Sequence, residues 1–391
     1  MTSASGSKSL FPRVFLFGAG FSAGMKYPLG GELVPLVIEY LERRAARRAT
    51  RKRGQRLRDR YMQPQRILRS IDLVLDKYCA CDRDSLEELS VTEFFSIAHM
   101  LAQMPELVGE EGHEERELVQ LSTSGGHGVA QVFDDVAAVV RTVFTERCQK
   151  NRRLPRGVRS VLEGLAPDRD AVVSFNWDEE VDYFLSMEHH SGAEVHYTYR
   201  TPWGPPAFLV LKPHGSVGWY DVAKGIGNAS TYFIASGDSR VPRFQRRVLA
   251  YEEIGFPVDL EHRRAYTLVC PPVITPPTFA KQYQFLEQKL IWQDVIRACR
   301  EAHEFVFLGY SLPIDDYLTR AALRAAIQSH ARRRLRCLVV NKHLSPELLA
   351  NYRSVLGPGM DEQRNFLACD FTRAGADLRE AIATRLAAAH V

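Results

Sequence analysis

The sequence predicts an α/β fold: a Rossmann-like, mostly parallel sheet with helices on both faces, plus a large helical insertion after the first strand. Short, almost wholly apolar runs recur along the chain, "VFLF" near the start and "AVVSF", "FLVL", "FVFL" and "CLVV" later. Strands buried on both faces of a parallel sheet read this way. Helical patterns separate several of these runs, the alternation expected of a parallel sheet with covered faces. From residue 33 to residue 165 the pattern is helical throughout, which makes that stretch an insertion.

Taken in order, the first strand is expected over 14–20, "VFLFGAG". Within the insertion the clearest helix is "VAQVFDDVAAVVRTVF", with apolar residues at 129, 132, 133, 136, 139, 140, 143 and 144, a single stripe at spacings of three and four. Ser90 and Glu93 ahead of "FFSIAHML" read as a capping box that starts another. Strand character returns at "AVVSFNW" (171–177) and continues in "FLVLKPHG", "TLVCPP", "FVFLGY", "LRCLVV" and "NFLACD". Helices are expected at 283–301, at 315–329 and, behind Ser345-Pro346, at 345–355; a closing helix carries apolar residues at 378, 382 and 386. The domain reading is a flexible N-terminus over 1–13, a Rossmann-like domain from 14–32 and 166–391, and the helical insertion over 33–165. No internal repeat is evident.

A chain of 391 residues with 45% apolar content can bury one large core or two smaller ones. No apolar run approaches the ~20 residues that span a bilayer, and the start "MTSASGSKSL" lacks the apolar core of a signal peptide. A cytoplasmic protein with no membrane contact is the expectation. The seven cysteines (Cys79, Cys81, Cys148, Cys270, Cys299, Cys337 and Cys369) include no C-x-x-C pair, and most fall in apolar stretches. They read as buried free thiols, with no metal site expected. The net charge of +4 conceals a local block: residues 43–60 hold ten Lys/Arg against Asp59, so this segment carries +9 and the rest of the chain −5. Such a block serves as a solvated helix face, binds an acidic protein surface or contacts nucleic acid. It lacks the interleaved aromatics of single-strand stacking surfaces, which ranks nucleic-acid contact third.

Gly18-x-Gly20-x-x-Ala23 matches the dinucleotide fingerprint, in which glycines permit a tight strand-to-helix turn and close approach of pyrophosphate. A nicotinamide dehydrogenase would place a second strand and a ribose-binding acid about 20 residues on. Here that region leads into the arginine block, which argues against an ordinary dehydrogenase. Three later strands carry polar residues at their C-terminal ends: Asn176 and Asp178 in "VVSFNWDEE", His214 in "LVLKPHGSVGWY", and Gly309, Tyr310 and Ser311 in "FVFLGYSLPIDD". Strand C-termini line the ligand crevice of a parallel α/β sheet, so these groups are expected to converge on the glycine turn.

The set "GAGFS", "SFNWD", "KPHGS", "FLGYSLP" and "LVVN" resembles the sirtuin superfamily, specifically its bacterial sirtuin-like branch found in antiviral defence effectors. The resemblance covers residues 14–30 and 170–372. It implies a Rossmann-like domain that binds NAD+ and cleaves the bond between nicotinamide and ribose. It further implies that Gly18, Ala19, Gly20 and Ser22 hold the pyrophosphate and that Phe21 lies on the nicotinamide side. Asn176 and His214 would be catalytic, with Asp178 reading the carboxamide. The motif match makes Ser311, beside Gly309 and Tyr310, a phosphate contact and Asn341 an adenosine contact. Sirtuin deacylases carry a Pro-Asp-Phe-Arg type segment after the glycine turn and a zinc ribbon of two C-x-x-C pairs. This chain has "KYPLGGEL" and no cysteine pairs, so water replaces acyl-lysine as the expected acceptor.

Nicotinamide leaves NAD+ as a neutral molecule and generates an oxocarbenium-like ribose, so catalysis rests on positioning and charge stabilisation. Asn176 offers a donor and acceptors for water or a ribose hydroxyl, and a histidine with an ordinary pKa near ~6.5 accepts a proton. The expected function is NAD+ glycohydrolase and NAD+-depleting effector of bacterial antiphage defence. The alternatives are an NAD-dependent deacylase or ADP-ribosyltransferase, and a non-catalytic scaffold that senses NAD+ or ADP-ribose. By analogy with the family, a homo-oligomer working with a separate partner, such as an ATPase of the HerA type, is expected.

Overall fold

The computed structural model describes residues 11–50, 64–86, 89–103, 132–150, 153–167, 169–189, 194–197, 207–221, 232–234, 248–249, 272–275, 286–329 and 335–391. The chain divides into two compact units, one of Met1–Tyr27, Lys150–Ser216 and Tyr283–Val391, the other of Pro28–Gln149 and Val217–Gln282.

The first unit is built on the apolar strands. β1 (Arg13–Phe17), β2 (Asp170–Ser174), β3 (Glu194–His196), β4 (Ala207–Leu211), β9 (Glu304–Leu308), β10 (Arg336–Asn341) and β11 (Phe366–Ala368) form a seven-stranded sheet in the order β11-β10-β9-β1-β2-β4-β3. Every pairing is parallel, as the sequence predicts. Every residue of β2, β4 and β9 is buried. A strand flanked by two strands and covered on both faces has no exposed position for a polar side chain. β1 lies between β2 and β9 with Arg13 opposite both Asp170 and Glu304. The Arg13 guanidinium grips the fully buried Asp170 carboxylate through two 2.7 Å hydrogen bonds, which fixes the register of β1 on β2.

Helices connect these strands. The chain leaves β1 into a single short turn, α1 (Ala19–Ala23), with extended Gly18 as its N-cap. The strand expected over 14–20 therefore ends at Phe17, because Gly18 starts the turn. Further on come α6 (Arg156–Glu163), α7 (Glu180–Tyr183) continuing as a π-helical segment Phe184–His189, α8 (Leu286–Glu301), α9 (Tyr317–Ser329), α10 (Pro346–Leu356), α11 (Glu362–Asn365) and α12 (Leu378–Ala388). Ser345 caps α10 by accepting from the Leu348 amide at 3.1 Å, and α12 buries Leu378, Ile382 and Leu386. Residues 1–10 of the expected flexible N-terminus lie outside the described residues; Phe11 is buried and Arg13 opens β1.

In the second unit, α2 (Leu33–Thr50), α3 (Pro64–Tyr78), α4 (Val91–Gln103) and α5 (Val132–Lys150) carry the helical insertion. The Ser90 hydroxyl accepts from the Glu93 amide at 3.3 Å and caps α4. Val132, Val136, Val139, Val140 and Val143 of α5 are buried, the stripe the spacing predicts. The basic block begins on α2, where Arg44 bonds Tyr40 and lies 3.9 Å from Glu146; residues 51–60 are outside the described part. β5 (Gly215–Asp221), β6 (Tyr232–Ile234), β7 (Val248–Leu249) and β8 (Pro272–Ile274) form a second sheet in the order β7-β6-β5-β8, with β6 antiparallel to β5 and β7. Of the stretch expected as the strand "TLVCPP", only its last residue, Pro272, is described, and it opens β8 of this small sheet rather than a strand of the parallel one; residues 267–271 lie outside the described part. Among the described residues no helix is long and apolar enough to cross a membrane.

Candidate functional site

The order of the seven strands reverses at β1: the chain runs from β1 to β2 on one side and comes back to β9 on the other. Such a reversal separates the loops that follow the two central strands and opens a crevice at their C-terminal ends. Four connections in the first unit meet around this point, those after β1, β2, β4 and β9.

The loops after β1 and β9 are locked backbone to backbone. The Gly18 amide donates to the Leu308 carbonyl at 3.0 Å, and the Gly20 amide to the Gly309 carbonyl at 2.8 Å. Gly309 has φ +60, and a Cβ there would lie 2.1 Å from the Phe21 nitrogen. A Cβ on Gly18 would lie 2.5 Å from the Tyr310 Cα. These glycines are required by the approach of one loop to the other, before any ligand is considered. Ala19 is exposed at the outer edge of the turn.

The loop after β2 is tied to the same turn. The Asn176 side-chain amide donates to the Gly18 carbonyl at 3.0 Å, and the Ser22 hydroxyl donates to Asp178 Oδ2 at 2.5 Å. Asp178 Oδ1 accepts from the Glu180 amide at 3.2 Å, while Tyr27 donates to the Glu180 carboxylate at 2.8 Å. Ser22, Asn176, Asp178 and Glu180 are all buried. Burial pushes the Asp178 carboxyl above its ordinary range, with Lys212 and the Ser22 hydrogen bond acting in the opposite sense. Burial also pushes half-buried Glu179 up to about 8, helped by repulsion from Asp182, Asp178 and Glu180 and opposed by Lys212.

His214 sits in the turn between β4 and β5, half-buried. Its ring centroid is 5.2 Å from that of Phe175, the residue before Asn176, and 6.1 Å from that of Trp292 on α8. Phe175 in turn stacks on Tyr310 at 4.6 Å and 18°. The aromatic group thus links the turn after β4 to the loops after β2 and β9. The Tyr310 hydroxyl donates to Asp316, and its carbonyl accepts from the Tyr352 hydroxyl at 2.8 Å.

Of the residues singled out from sequence, Gly18, Gly20, Ser22, Asn176, Asp178 and Gly309 are joined by direct hydrogen bonds, and His214 and Tyr310 are linked to them through the Phe175 ring. Phe21 is different: its ring is completely buried, edge-on to Phe17 at 4.6 Å and to Phe371 at 5.1 Å. It belongs to the core beneath the turn, not to a ligand surface. Ser311 is exposed beyond Tyr310. Asn341 ends β10 one strand away, its side-chain oxygen accepting from the Lys342 amide at 2.8 Å. Sequence reasoning passed over Lys212, Asp182, Phe175 and Trp292. Lys212 was legible as a charged residue at the end of an otherwise apolar strand; Trp292 had no local signal, since its role depends on where α8 packs.

Among the described residues no group of three or more His, Cys, Asp or Glu is arranged to hold a metal ion. Cys299 and Cys337 are buried free thiols, and burial pushes each up to about 12. No protein-family model matches the chain, and no curated protein sequence matches it.

Proposed function

We propose that the chain is an NAD+ glycohydrolase, converting NAD+ and water to ADP-ribose and nicotinamide. One observation carries this reading: Asn176 and Asp178 are fixed by side-chain hydrogen bonds to Gly18 and Ser22 of the glycine turn, at the strand ends where the sheet order reverses. A dinucleotide laid along that turn would bring its nicotinamide ribose to the loop bearing the two polar side chains.

In this account the C–N bond between the anomeric carbon and nicotinamide breaks, and its electron pair goes to the pyridinium nitrogen. With one Asn176 N–H given to Gly18, its carbonyl oxygen and second N–H remain to orient water or a ribose hydroxyl. The water oxygen bonds to the anomeric carbon while His214 takes the released proton. Fixed dipoles serve such a transition state because they need no reorganisation as charge develops. Asp178, buried and bonded to Ser22, holds the loop and presents its carboxyl toward the carboxamide of the substrate. The biological part of the proposal, an NAD+-depleting effector of antiphage defence acting as a homo-oligomer with a partner ATPase, rests on the motif resemblance alone.

A second reading is a module that binds NAD+ or ADP-ribose without turnover. The commitment of Asn176 and Asp178 to partners within the protein favours it, since those bonds also serve a purely structural loop. Incubating the purified full chain with NAD+, with and without an acylated peptide, separates the cases. Free nicotinamide and ADP-ribose without peptide support hydrolysis, peptide-dependent release indicates deacylation, and binding without release leaves the module.

A further inference from the structure

Lys212 is completely buried at the end of β4. Its ammonium donates to the Asp182 carboxylate at 2.9 Å and to the backbone carbonyl of Asp178. Asp182 is itself buried on α7, and its charge also acts on the buried Tyr197 hydroxyl. A lysine taken out of water is tolerated only when it is paired and its protons are bonded, and here the partners are specific. One end of the contact is the carbonyl of Asp178, two residues after Asn176. The other end is the residue two before His214, with only Pro213 between. The ammonium therefore bridges the loop after β2 and the turn after β4, segments 34 residues apart in the chain.

We propose that Lys212 is a positioning residue that holds Asn176 and His214 in one fixed arrangement, with Asp182 anchoring the ammonium. This rests on the NAD+ glycohydrolase reading above. Proline at 213 reinforces the role, because its fixed φ stiffens the short link between the anchored lysine and the imidazole. The ammonium acts through backbone and carboxylate and touches no reacting atom. Its loss would misplace the two groups relative to each other while leaving the glycine turn, and so the binding of the dinucleotide, in place.

The test is steady-state NAD+ cleavage by Lys212→Met, Asp182→Asn and the double variant Lys212→Met/Asn176→Ala, in the full-length protein, with thermal unfolding measured for each. The expected result is kcat lowered about tenfold or more in Lys212→Met, with KM changed less than about threefold. In the Asn176→Ala background, Lys212→Met should lower kcat by clearly less than it does in the otherwise wild-type protein, because one of the two groups it positions is gone. A bridge that served only stability would multiply the two losses or leave kcat untouched. Should Lys212→Met fail to fold, Asp182→Asn, which keeps the lysine and the side-chain volume, carries the same test: an unchanged kcat in a folded Asp182→Asn overturns the proposal. A wild-type protein that releases no nicotinamide overturns the glycohydrolase reading, and the positioning role with it; an active wild type with full activity in Lys212→Met overturns the positioning role alone.

Discussion

The Asn176 side-chain amide donates to the Gly18 carbonyl oxygen at 3.0 Å across 158 residues of chain. Together with the Ser22–Asp178 hydrogen bond, it joins the loop after β2 to the turn after β1 and fixes the orientation of a buried polar side chain. Asn176→Ala removes both the orientation and the group, and His214→Ala removes the proposed proton acceptor. Each should lower NAD+ cleavage by on the order of a hundredfold or more. The measurement is nicotinamide release by purified, folded variants; near-normal turnover in either would remove that residue from the mechanism.

Gly309 tests the loop-to-loop lock. With φ +60 and a virtual Cβ 2.1 Å from the Phe21 nitrogen, Gly309→Ala combines backbone strain with a clash against main chain that cannot swing away. A loss of at least about 3 kcal/mol in unfolding free energy is expected. Gly31→Ala, where a Cβ meets nothing within 4 Å, should change stability by less than about 1 kcal/mol. Equal effects of the two substitutions in urea unfolding would contradict the packing described for the glycine turn.

Arg13 and Asp170 test the register of the central strands. Asp170 is completely buried and also accepts from the Ala166 amide at 2.8 Å, so Asp170→Ala leaves the guanidinium and an amide without their acceptor. The expected cost is about 3 kcal/mol. Circular dichroism during thermal unfolding reads it as a lowered midpoint, and an unchanged midpoint would mean that the ion pair does not hold β1 on β2.

The pH dependence follows from Glu179. Its carboxyl is raised from the ordinary 4.5 to about 8 in the folded state, so the native protein retains a proton that the unfolded chain has lost. The contribution to stability is therefore full below about pH 4.5, declines as pH rises, and is lost above about pH 8. Asp178, raised for the same reason, adds in the same direction. Glu179→Gln should stabilise the protein above about pH 8 by on the order of 1–3 kcal/mol and flatten the slope between about pH 5 and about pH 8. Urea unfolding across that range checks it; an unchanged slope in Glu179→Gln would show that this side chain ionises normally.

The parallel sheet was legible because its strands are buried on both faces and read as nearly continuous apolar runs, "AVVS" in β2, "FLVL" in β4 and "FVFL" in β9. β3 (Glu194–His196), β6 (Tyr232–Ile234) and β7 (Val248–Leu249) were not, since segments of two or three residues are too short to show a period. A period also says nothing about which sheet a strand joins, which is why "TLVCPP" was expected among the parallel strands, whereas its last residue, Pro272, opens β8 of the small sheet. Asn176, Asp178 and His214 were legible as polar residues at strand ends. Phe21 was misassigned because a motif fixes the backbone of a turn and not the direction of each side chain, and here the ring turns down onto Phe17 and Phe371. Lys212 escaped notice because its meaning lies in a contact with Asp182, 30 residues earlier.

The central claim is that water attacks the anomeric carbon of NAD+ at the loop bearing Asn176. Its most direct measurement is product analysis by mass spectrometry after the purified protein is incubated with NAD+ in oxygen-labelled water. The account predicts free nicotinamide together with ADP-ribose carrying one labelled oxygen on its nicotinamide-side ribose. The Asn176→Ala and His214→Ala variants should give on the order of one hundredth as much. Intact NAD+ after prolonged incubation, or ADP-ribose appearing only as a conjugate with no label incorporated, would contradict it.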